Sequence, residues 1–243
     1  QRQMCIRDSD GDGDLDAVSV DFPGHVLNIH INDGDATFET VRKVPVGSGS
    51  IHVQLGDLDR DGDLDAVTAN KTAHSVSTLL NRGDGTFIRQ GPSDPRVRSD
   101  PTSVAVGDLN GDGWVDIVAG SASLPFVTVL LNAEGTFGMG TSYPLSGNSH
   151  HVIAFDIDRD GHLDIAAANQ TRNSCSILYN RGDGSGTFVA AQDFAIGRKP
   201  YSIKVLDFNG DGPPDLLAVS EVLSSVSIRF GNGNGTFQIP VHF

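Results

Sequence analysis

The chain has 243 residues and a mass of 25.6 kDa, which suits one domain or one array of repeats. Its 31 acidic residues outnumber its 17 Lys and Arg residues, and the resulting net charge of −14 argues against a nucleic-acid binder and against electrostatic docking on anionic lipid. No apolar run approaches the ~18 residues of a membrane span, so membrane insertion is not expected.

The composition favours strands over helices. Only three of the acidic residues are Glu and the chain has only four Lys, whereas Asp, Gly, Val, Ser and Thr are abundant. Glu and Lys favour helices, while Asp favours turns and Val and Thr favour strands. We therefore predict an all-β fold whose strands are joined by polar turns.

In chain order, the first segment is a leader that differs from everything after it. Residues 1–7 match no other part of the chain, so we leave them out of the fold prediction, and the assignment of Asp8 stays open. The repeats occupy residues 8–243. The first repeat therefore lacks the strand that precedes the acidic loop in the others, and the chain ends on the last strand of the fifth. We expect a fragment of a larger ring.

An acidic nine-residue loop then occurs five times. Its copies start at Asp8, Asp57, Asp108, Asp156 and Asp207, with spacings of 49, 51, 48 and 51 residues. A period near 50 residues indicates a propeller or a solenoid. We number these acidic loops one to five and number positions 1 to 9 within each.

A second marker follows each acidic loop with the same period. It is a turn rich in Asn and Gly that ends on Phe, at residues 32–38, 81–87, 132–137, 180–188 and 231–237. Apolar and polar residues alternate between the markers, which predicts strands, and the count is four strands per repeat. The fold prediction is a β-propeller of four-stranded antiparallel blades with five repeat units of about 50 residues.

The acidic loops place Asp or Asn at positions 1, 3, 5 and 9, with Gly at position 6. At an effective dielectric near 20, each pair of carboxylates ~4 Å apart costs up to about 4 kcal/mol, which a divalent cation removes. Calcium accepts 6–8 oxygen ligands and a flexible loop, and position 7 varies as expected if only its backbone carbonyl binds. The sequence predicts up to five calcium ions, one per repeat.

The predicted ligands at positions 1, 3, 5, 7 and 9 are Asp8, Asp10, Asp12, Asp14 and Asp16 in loop one, Asp57, Asp59, Asp61, Asp63 and Asp65 in loop two, Asp108, Asn110, Asp112, Trp114 and Asp116 in loop three, Asp156, Asp158, Asp160, His162 and Asp164 in loop four, and Asp207, Asn209, Asp211, Pro213 and Asp215 in loop five.

Two other readings of the loops are weaker. An EF-hand requires Glu at the twelfth position, where loop two has Thr68, and its flanks should be helices. Unoccupied polar turns leave the local excess of acid unexplained. Five calcium ions would add ten positive charges and bring the net charge from −14 to −4.

The pattern Asp-x-Asp/Asn-x-Asp-Gly-x-x-Asp, followed about 24 residues later by Asn-x-Gly-Asp-Gly-Thr-Phe, resembles the FG-GAP/VCBS repeat. That family includes the integrin α-subunit β-propeller and many bacterial secreted proteins. The resemblance covers residues 8–243 and implies a propeller with calcium in hairpin loops on one face. The sequence looks closer to the bacterial type, so integrin ligand chemistry is not transferred.

No catalytic motif accompanies the repeats, so the chain is not expected to be an enzyme. It has no His-Glu-x-x-His, Gly-x-Ser-x-Gly or Cys-x-x-Cys, and His150 and His151 are expected to point to opposite faces of a strand. We expect a secreted or cell-surface scaffold for adhesion or for recognition of a protein or glycan. A non-catalytic accessory domain of a secreted polysaccharide-active enzyme is the alternative. A propeller enzyme with its site in the central channel is weaker.

Overall fold

A computed structural model describes residues 4–243 except residues 36, 39, 92, 221 and 223. Within this described part the fold is all-β, with five four-stranded antiparallel sheets and one two-stranded pair, and it contains no helix. The strands are β1 (Met4–Arg7), β2 (Asp16–Asp21), β3 (Val26–Ile31), β4 (Thr40–Pro45), β5 (Ser50–Gly56), β6 (Asp65–Asn70), β7 (Ser75–Asn81), β8 (Phe87–Arg89), β9 (Pro101–Gly107), β10 (Asp116–Ser121), β11 (Phe126–Leu130), β12 (Asn132–Ala133), β13 (Thr136–Phe137), β14 (Thr141–Pro144), β15 (Ser149–Phe155), β16 (Asp164–Asn169), β17 (Ser174–Leu178), β18 (Gln192–Ala195), β19 (Pro200–Leu206), β20 (Asp215–Ser220), β21 (Val226–Arg229) and β22 (Val241–His242).

Each repeat forms one blade, as predicted. Blade one is β1–β4, blade two β5–β8, blade four β15–β18 and blade five β19–β22, each in sequential antiparallel order. Blade three uses β9, β10, β11 and β14, and the β12–β13 pair forms its tight turn. The acidic loop joins the first and second strands of each blade. All five acidic loops therefore lie at the same end of the blades.

The blades pack face to face in chain order. The first strands of consecutive blades contact one another, so they lie innermost, around a common axis. Four apolar clusters fill the four seams, and each combines residues of two consecutive blades. In the seam between blades two and three, Leu58 and Val76 pack with Val104, Ile117 and Leu130. This repetition of one seam confirms the propeller prediction.

Blade one differs from the prediction at its first strand. The sequence assigned no strand before loop one, but Met4–Arg7 pairs antiparallel with β2, with Arg7 opposite Asp16. Cys5 Sγ also donates to the carbonyl of Val53 in blade two, at 3.0 Å. Hydrogen bonding between strands uses backbone groups and tolerates almost any side chain. A segment that resembles no other repeat can therefore form this strand. Residues 1–3 lie outside the described part.

Candidate metal centres

The acidic loops share one backbone conformation. Position 4 is left-handed in all five, with φ of 78°, 66°, 75°, 68° and 77°, although it is Arg in loops two and four and Gly in the others. Position 6 is always Gly and has φ between 86° and 99°. Side chains rarely adopt such φ values, so Gly at position 6 is a requirement of the turn.

Position 1 closes the loop. In loop two, Asp57 Oδ1 accepts from the amide of Arg60 at 2.7 Å and Asp57 Oδ2 accepts from the amide of Gly62 at 3.1 Å. Asp8, Asp108 and Asp207 accept from the same two loop positions, and Asp156 accepts from the amides of positions 5 and 6. These bonds hold the position 1 carboxylate over the centre of the loop.

Positions 3 and 5 form successive Asx turns that aim their side chains inward. Asp59 accepts from the amide of Asp61 at 3.4 Å, and Asp61 accepts from that of Asp63 at 2.9 Å. In loop five the second turn is absent from the described contacts because Pro213 has no N–H to donate to Asp211. Hydrogen bonds between residues close in the sequence therefore bring the carboxylates of each loop together.

Position 9 has a second role that the sequence analysis missed. All five position 9 carboxylates are fully buried. Asp116 Oδ2 accepts from the amide of Leu109 at 2.8 Å, and Asp116 Oδ1 accepts from the amide of Asn132 at 2.7 Å. The same two bonds recur in every repeat, on Asp16, Asp65, Asp164 and Asp215. This residue ties the acidic loop to the Asn-Gly turn of its own blade.

Three loops bring carboxylates of three Asp residues within 4.8 Å of one another. These groups are Asp8, Asp10 and Asp16 in loop one, Asp57, Asp59 and Asp61 in loop two, and Asp156, Asp158 and Asp164 in loop four. Loops three and five have Asn at position 3 instead, and Asn110 and Asn209 donate to the position 5 carboxylate at 2.9 and 2.8 Å. The clusters could hold a metal ion.

The electrostatics fit a cation in the loops. Burial, opposed by two backbone hydrogen bonds, raises the pKa of Asp65 and of Asp164 to about 7 and that of Asp116 to about 6. Burial and neighbouring carboxylates also raise the pKa of Asp10, where Oδ1 is buried without a hydrogen-bond partner. A bound divalent cation would give that oxygen a partner and would remove the repulsion.

Position 7 side chains lie outside the carboxylate clusters. Asp63, Trp114, His162 and Pro213 each face the glycine-rich turn of their own blade. Trp114 also packs under the guanidinium of Arg60 in the preceding loop, 5.3 Å from its ring centroid. Use of the position 7 carbonyls as ligands, including those of Asp14, Trp114, His162 and Pro213, remains a prediction.

The Asn that opens each tight turn links consecutive blades, which the sequence analysis also missed. Asn81 Nδ2 donates to Ser9 O at 2.7 Å, Asn132 Nδ2 to Leu58 O at 2.8 Å and Asn180 Nδ2 to Leu109 O at 2.7 Å. Each acceptor is position 2 of the acidic loop in the preceding blade. We call this bond the blade clamp. Its signal in the sequence was the repeated Asn, which was read only as a turn residue.

The two histidines of the innermost strand of blade four contact two different blades, in agreement with the prediction that they point to opposite faces. The His151 ring lies 5.7 Å from that of His52 in blade two, and the His150 ring lies 4.8 Å from that of Tyr201 in blade five. His52 Nδ1 accepts from the amide of Val104, while His52 Nε2 and His151 Nδ1 are buried without partners. Burial lowers the pKa of His52 to about 3 and that of His151 to about 4.

Comparison with known proteins gives a family and a fold. A family model described as FG-GAP-like repeat matches residues 8–68, 57–119 and 156–218. A functionally unknown protein from Desulfotomaculum acetoxidans has a similar structure, with 17% identity and a TM-score of 0.71 over 99% of this chain and 68% of that chain. BBS1N, solved in complex with ARL6DN, gives 11% identity and a TM-score of 0.64 over 99% of this chain and 67% of that chain.

The V. cholerae biofilm matrix protein Bap1 is a third structure with a similar fold. It is 17% identical, with a TM-score of 0.52 over 99% of this chain and 38% of that chain. At these identities the likeness concerns the fold alone. The solved chains are longer than this one, and the functions of those proteins do not transfer through the fold.

Proposed function

The chain belongs to the FG-GAP-like repeat family, and we propose that it is a calcium-stabilised propeller scaffold of an extracellular protein that binds a protein or a glycan. The observation that carries the proposal is the convergence of Asp carboxylates in the acidic loops, with a buried oxygen of Asp10 lacking a partner. The five loops share one backbone conformation, so the arrangement of their carboxylates is a property of the repeat.

Calcium is the cation that these ligands favour. The side chains offer only carboxylate and amide oxygens, which suit a hard cation, and the number of oxygens in each loop suits the 6–8 ligands of calcium better than the small octahedron of magnesium. When bound, the ion supplies charge neutralisation and crosslinks the loop. Sites of this kind fill at millimolar calcium, which is an extracellular condition and supports a secreted or cell-surface location.

A groove beside loop two is a candidate surface for recognition. It has a volume of about 560 Å³ and is lined by Asp59, Asp61, Arg82, Ile88 and Arg89, among others. Its lining combines both signs of charge with the apolar side chains of Leu80 and Ile88, and it includes two of the predicted metal ligands. We propose a binding role without catalysis, because the Asp residues that could act as acid and base are committed to the loops.

The test is a binding screen against arrayed glycans and extracellular proteins, in millimolar calcium and again with a chelator. The matched pair is wild type and the Arg82→Ala variant, which changes the groove without touching the loop and leaves the ion pair of Arg89 with Asp94 in place. Calcium-dependent binding that the Arg82→Ala variant loses supports the proposal. A folded, calcium-loaded protein that binds nothing on the arrays contradicts the recognition role and leaves the metal proposal to its own test.

A further inference from the structure

Two of the acidic loops carry less negative charge than the other three. At positions 1, 3, 5 and 9, loops one, two and four have Asp throughout, whereas loops three and five have Asn at position 3. Among the described residues, the loops that bring three carboxylates within 4.8 Å of one another are the three all-Asp loops. The residue at position 3 therefore divides the five loops into two groups.

An Arg from the preceding blade lies against each of the two less acidic loops. Arg60 holds position 4 of loop two, but its guanidinium lies over the Trp114 ring of loop three, 5.3 Å from the ring centroid. A Cβ built on Gly113, at position 6 of loop three, would lie 3.2 Å from Arg60 Nη2. Arg159, at position 4 of loop four, reaches loop five in the same way, with Nη1 3.9 Å from a Cβ built on Gly212.

The all-Asp loops receive no such cation from the part of the chain that the structure describes. A Cβ built at position 6 of loops one, two and four, on Gly13, Gly62 or Gly161, would meet no described atom within 4 Å. Position 4 of the loops that precede loops two and four is Gly11 and Gly111, which have no side chain to reach across. A loop with Asn at position 3 is therefore also a loop that faces an Arg.

These charges give the two groups of loops a different attraction for a cation. The four ligand carboxylates of loop two carry −4, whereas the three of loop three, less the one charge of the Arg60 guanidinium, leave −2. Neither ion pair found among the described residues involves Arg60 or Arg159, so both charges remain to oppose a bound ion. Because the calcium affinity of an oxygen-lined loop follows its ligand charge, loops three and five should bind calcium less tightly.

A hydrogen bond adds to this difference. Asn110 Nδ2 donates to Asp112 Oδ2 at 2.9 Å, and Asn209 Nδ2 donates to Asp211 Oδ2 at 2.8 Å. An Asp at position 3 has no N–H to offer its neighbour at position 5. In loops three and five, an amide proton therefore competes with a metal ion for the position 5 carboxylate.

We propose that Arg60 and Arg159 are affinity-tuning residues that weaken calcium binding in the loops they face. The protein then has three stronger sites, in loops one, two and four, and two weaker sites, in loops three and five. This inference rests on the proposed function, because it concerns calcium in the same loops. As the calcium concentration falls, loops three and five release their ions first, while the other three loops remain crosslinked.

The first test is a calorimetric titration of chelator-stripped wild type with calcium. Three sites should fill before the other two, with dissociation constants that differ roughly tenfold between the two groups. Five sites of one affinity overturn this proposal and leave the proposed function intact. A folded protein that gives no calcium heat contradicts the proposed function as well, so the two failures are distinguishable.

The second test uses the reporter that loop three carries. Trp114 is the only Trp of the chain, and terbium, which occupies the oxygen sites of calcium, gives sensitised luminescence when it lies beside a Trp. The matched variants are Arg60→Gln and Arg159→Gln, which each remove one charge and keep a polar side chain at position 4. The luminescence is recorded while terbium is added to wild type and to each variant.

Arg60→Gln should lower the terbium concentration at half-maximal luminescence by about threefold or more, because a like charge beside the ion is gone, and the shift should shrink in high salt. Arg159→Gln should leave that midpoint unchanged, because its guanidinium lies against loop five. Equal midpoints for wild type and Arg60→Gln, or one shift common to both variants, overturn the proposal. A shift that salt does not reduce also overturns it, because Arg60 would then act through its packing on Trp114. Absence of sensitised luminescence would mean that loop three holds no ion and would overturn it too.

Discussion

At the scale of single residues, the Asp at position 9 joins two functions. Its buried carboxylate accepts two backbone amides, one within the acidic loop and one from the Asn-Gly turn, and in loops one and four it also belongs to the carboxylate cluster. The exposed Asp at position 5 has only local bonds. The position 9 Asp should therefore contribute to the free energy of unfolding with or without metal. The position 5 Asp should contribute mainly when metal is bound.

Loop three provides the matched pair for this difference. Asp116→Asn turns one acceptor oxygen into a donor facing a backbone amide, which should cost about 2–3 kcal/mol in chelator as well as in calcium. Asp112→Asn keeps the oxygen that accepts from Trp114 and loses only the exposed bond from the Asn110 side chain, so it should change the free energy of unfolding by less than about 1 kcal/mol in chelator and weaken calcium binding. Chemical denaturation in both buffers measures this. Equal losses in chelator would refute the division of roles.

Calcium affinity should depend on pH through these carboxylates. The pKa values of Asp65, Asp116 and Asp164 are raised to about 7, 6 and 7. Below these pH values the carboxyl groups are protonated, so protons compete with the cation for the same oxygens. Affinity should therefore rise several-fold as the pH rises from about 5.5 to about 7.5 and then level off. Calorimetric titrations across this range test it, and an affinity that is constant with pH would contradict it.

At the scale of elements, the blade clamp explains why the tight turn is part of the architecture. Asn132 is 1% exposed, and its amide reaches both the carbonyl of Leu58 in blade two and that of Val115 in its own blade. In blade five the equivalent residue is Gly231, and a Cβ there would clash with the carbonyl of Pro214. The backbone carbonyl of Pro214 therefore excludes the clamp residue in blade five, and the Tyr179 hydroxyl donates to the carbonyl of Gly235 across that seam.

Removal of the clamp should weaken one seam. Asn132→Ala leaves the carbonyl of Leu58 unpaired and should cost about 1–3 kcal/mol in unfolding free energy. Gly231→Asn, which restores the repeat sequence in blade five, should also destabilise the protein because of the clash with Pro214. Denaturant unfolding of both variants measures these effects. A stabilised Gly231→Asn variant would show that the clash is relieved and that the clamp can form.

The innermost strands should make the protein sensitive to acid. Burial holds His52 and His151 neutral, with pKa values of about 3 and 4, while in the unfolded chain both take up protons near pH 6.5. The unfolded state therefore gains protons first as the pH falls below about 6.5, and stability is lost toward pH 4. The charge of Lys204 adds to the cost of protonating either ring.

The test of this acid sensitivity is the His52→Ser/His151→Ser variant, which takes the residue that Ser103 and Ser202 supply at the same position in blades three and five. Its unfolding free energy should fall less than that of wild type between about pH 7 and pH 5, because the two titrating groups are gone. Contributions of the acidic loops are common to both proteins and cancel. Parallel pH profiles for the two proteins would rule out this pair as the cause.

At the scale of the whole molecule, the repeat could be predicted from the sequence because the residues that define it are close together in the chain. Asp residues at fixed spacing, Gly at position 6 and alternating strands follow from turn geometry and pleat, so the blades and the acidic loops could be predicted. The long-range features could not. The second bond of Asp116, the clamp from Asn132 to Leu58 and the approach of His52 to His151 join residues from 16 to 99 positions apart. The β1 strand was missed because it carries no repeat signal.

The central claim is that the acidic loops bind calcium and stabilise the propeller, and one measurement tests it most directly. Chelator-stripped protein is titrated with calcium in a calorimeter, and thermal melts are recorded along the titration. The account predicts four or five sites and a midpoint that rises with calcium, since each site contributes about 2.7 kcal/mol at 100 times its dissociation constant. A folded protein that shows no calcium heat and no change in its midpoint would contradict the claim.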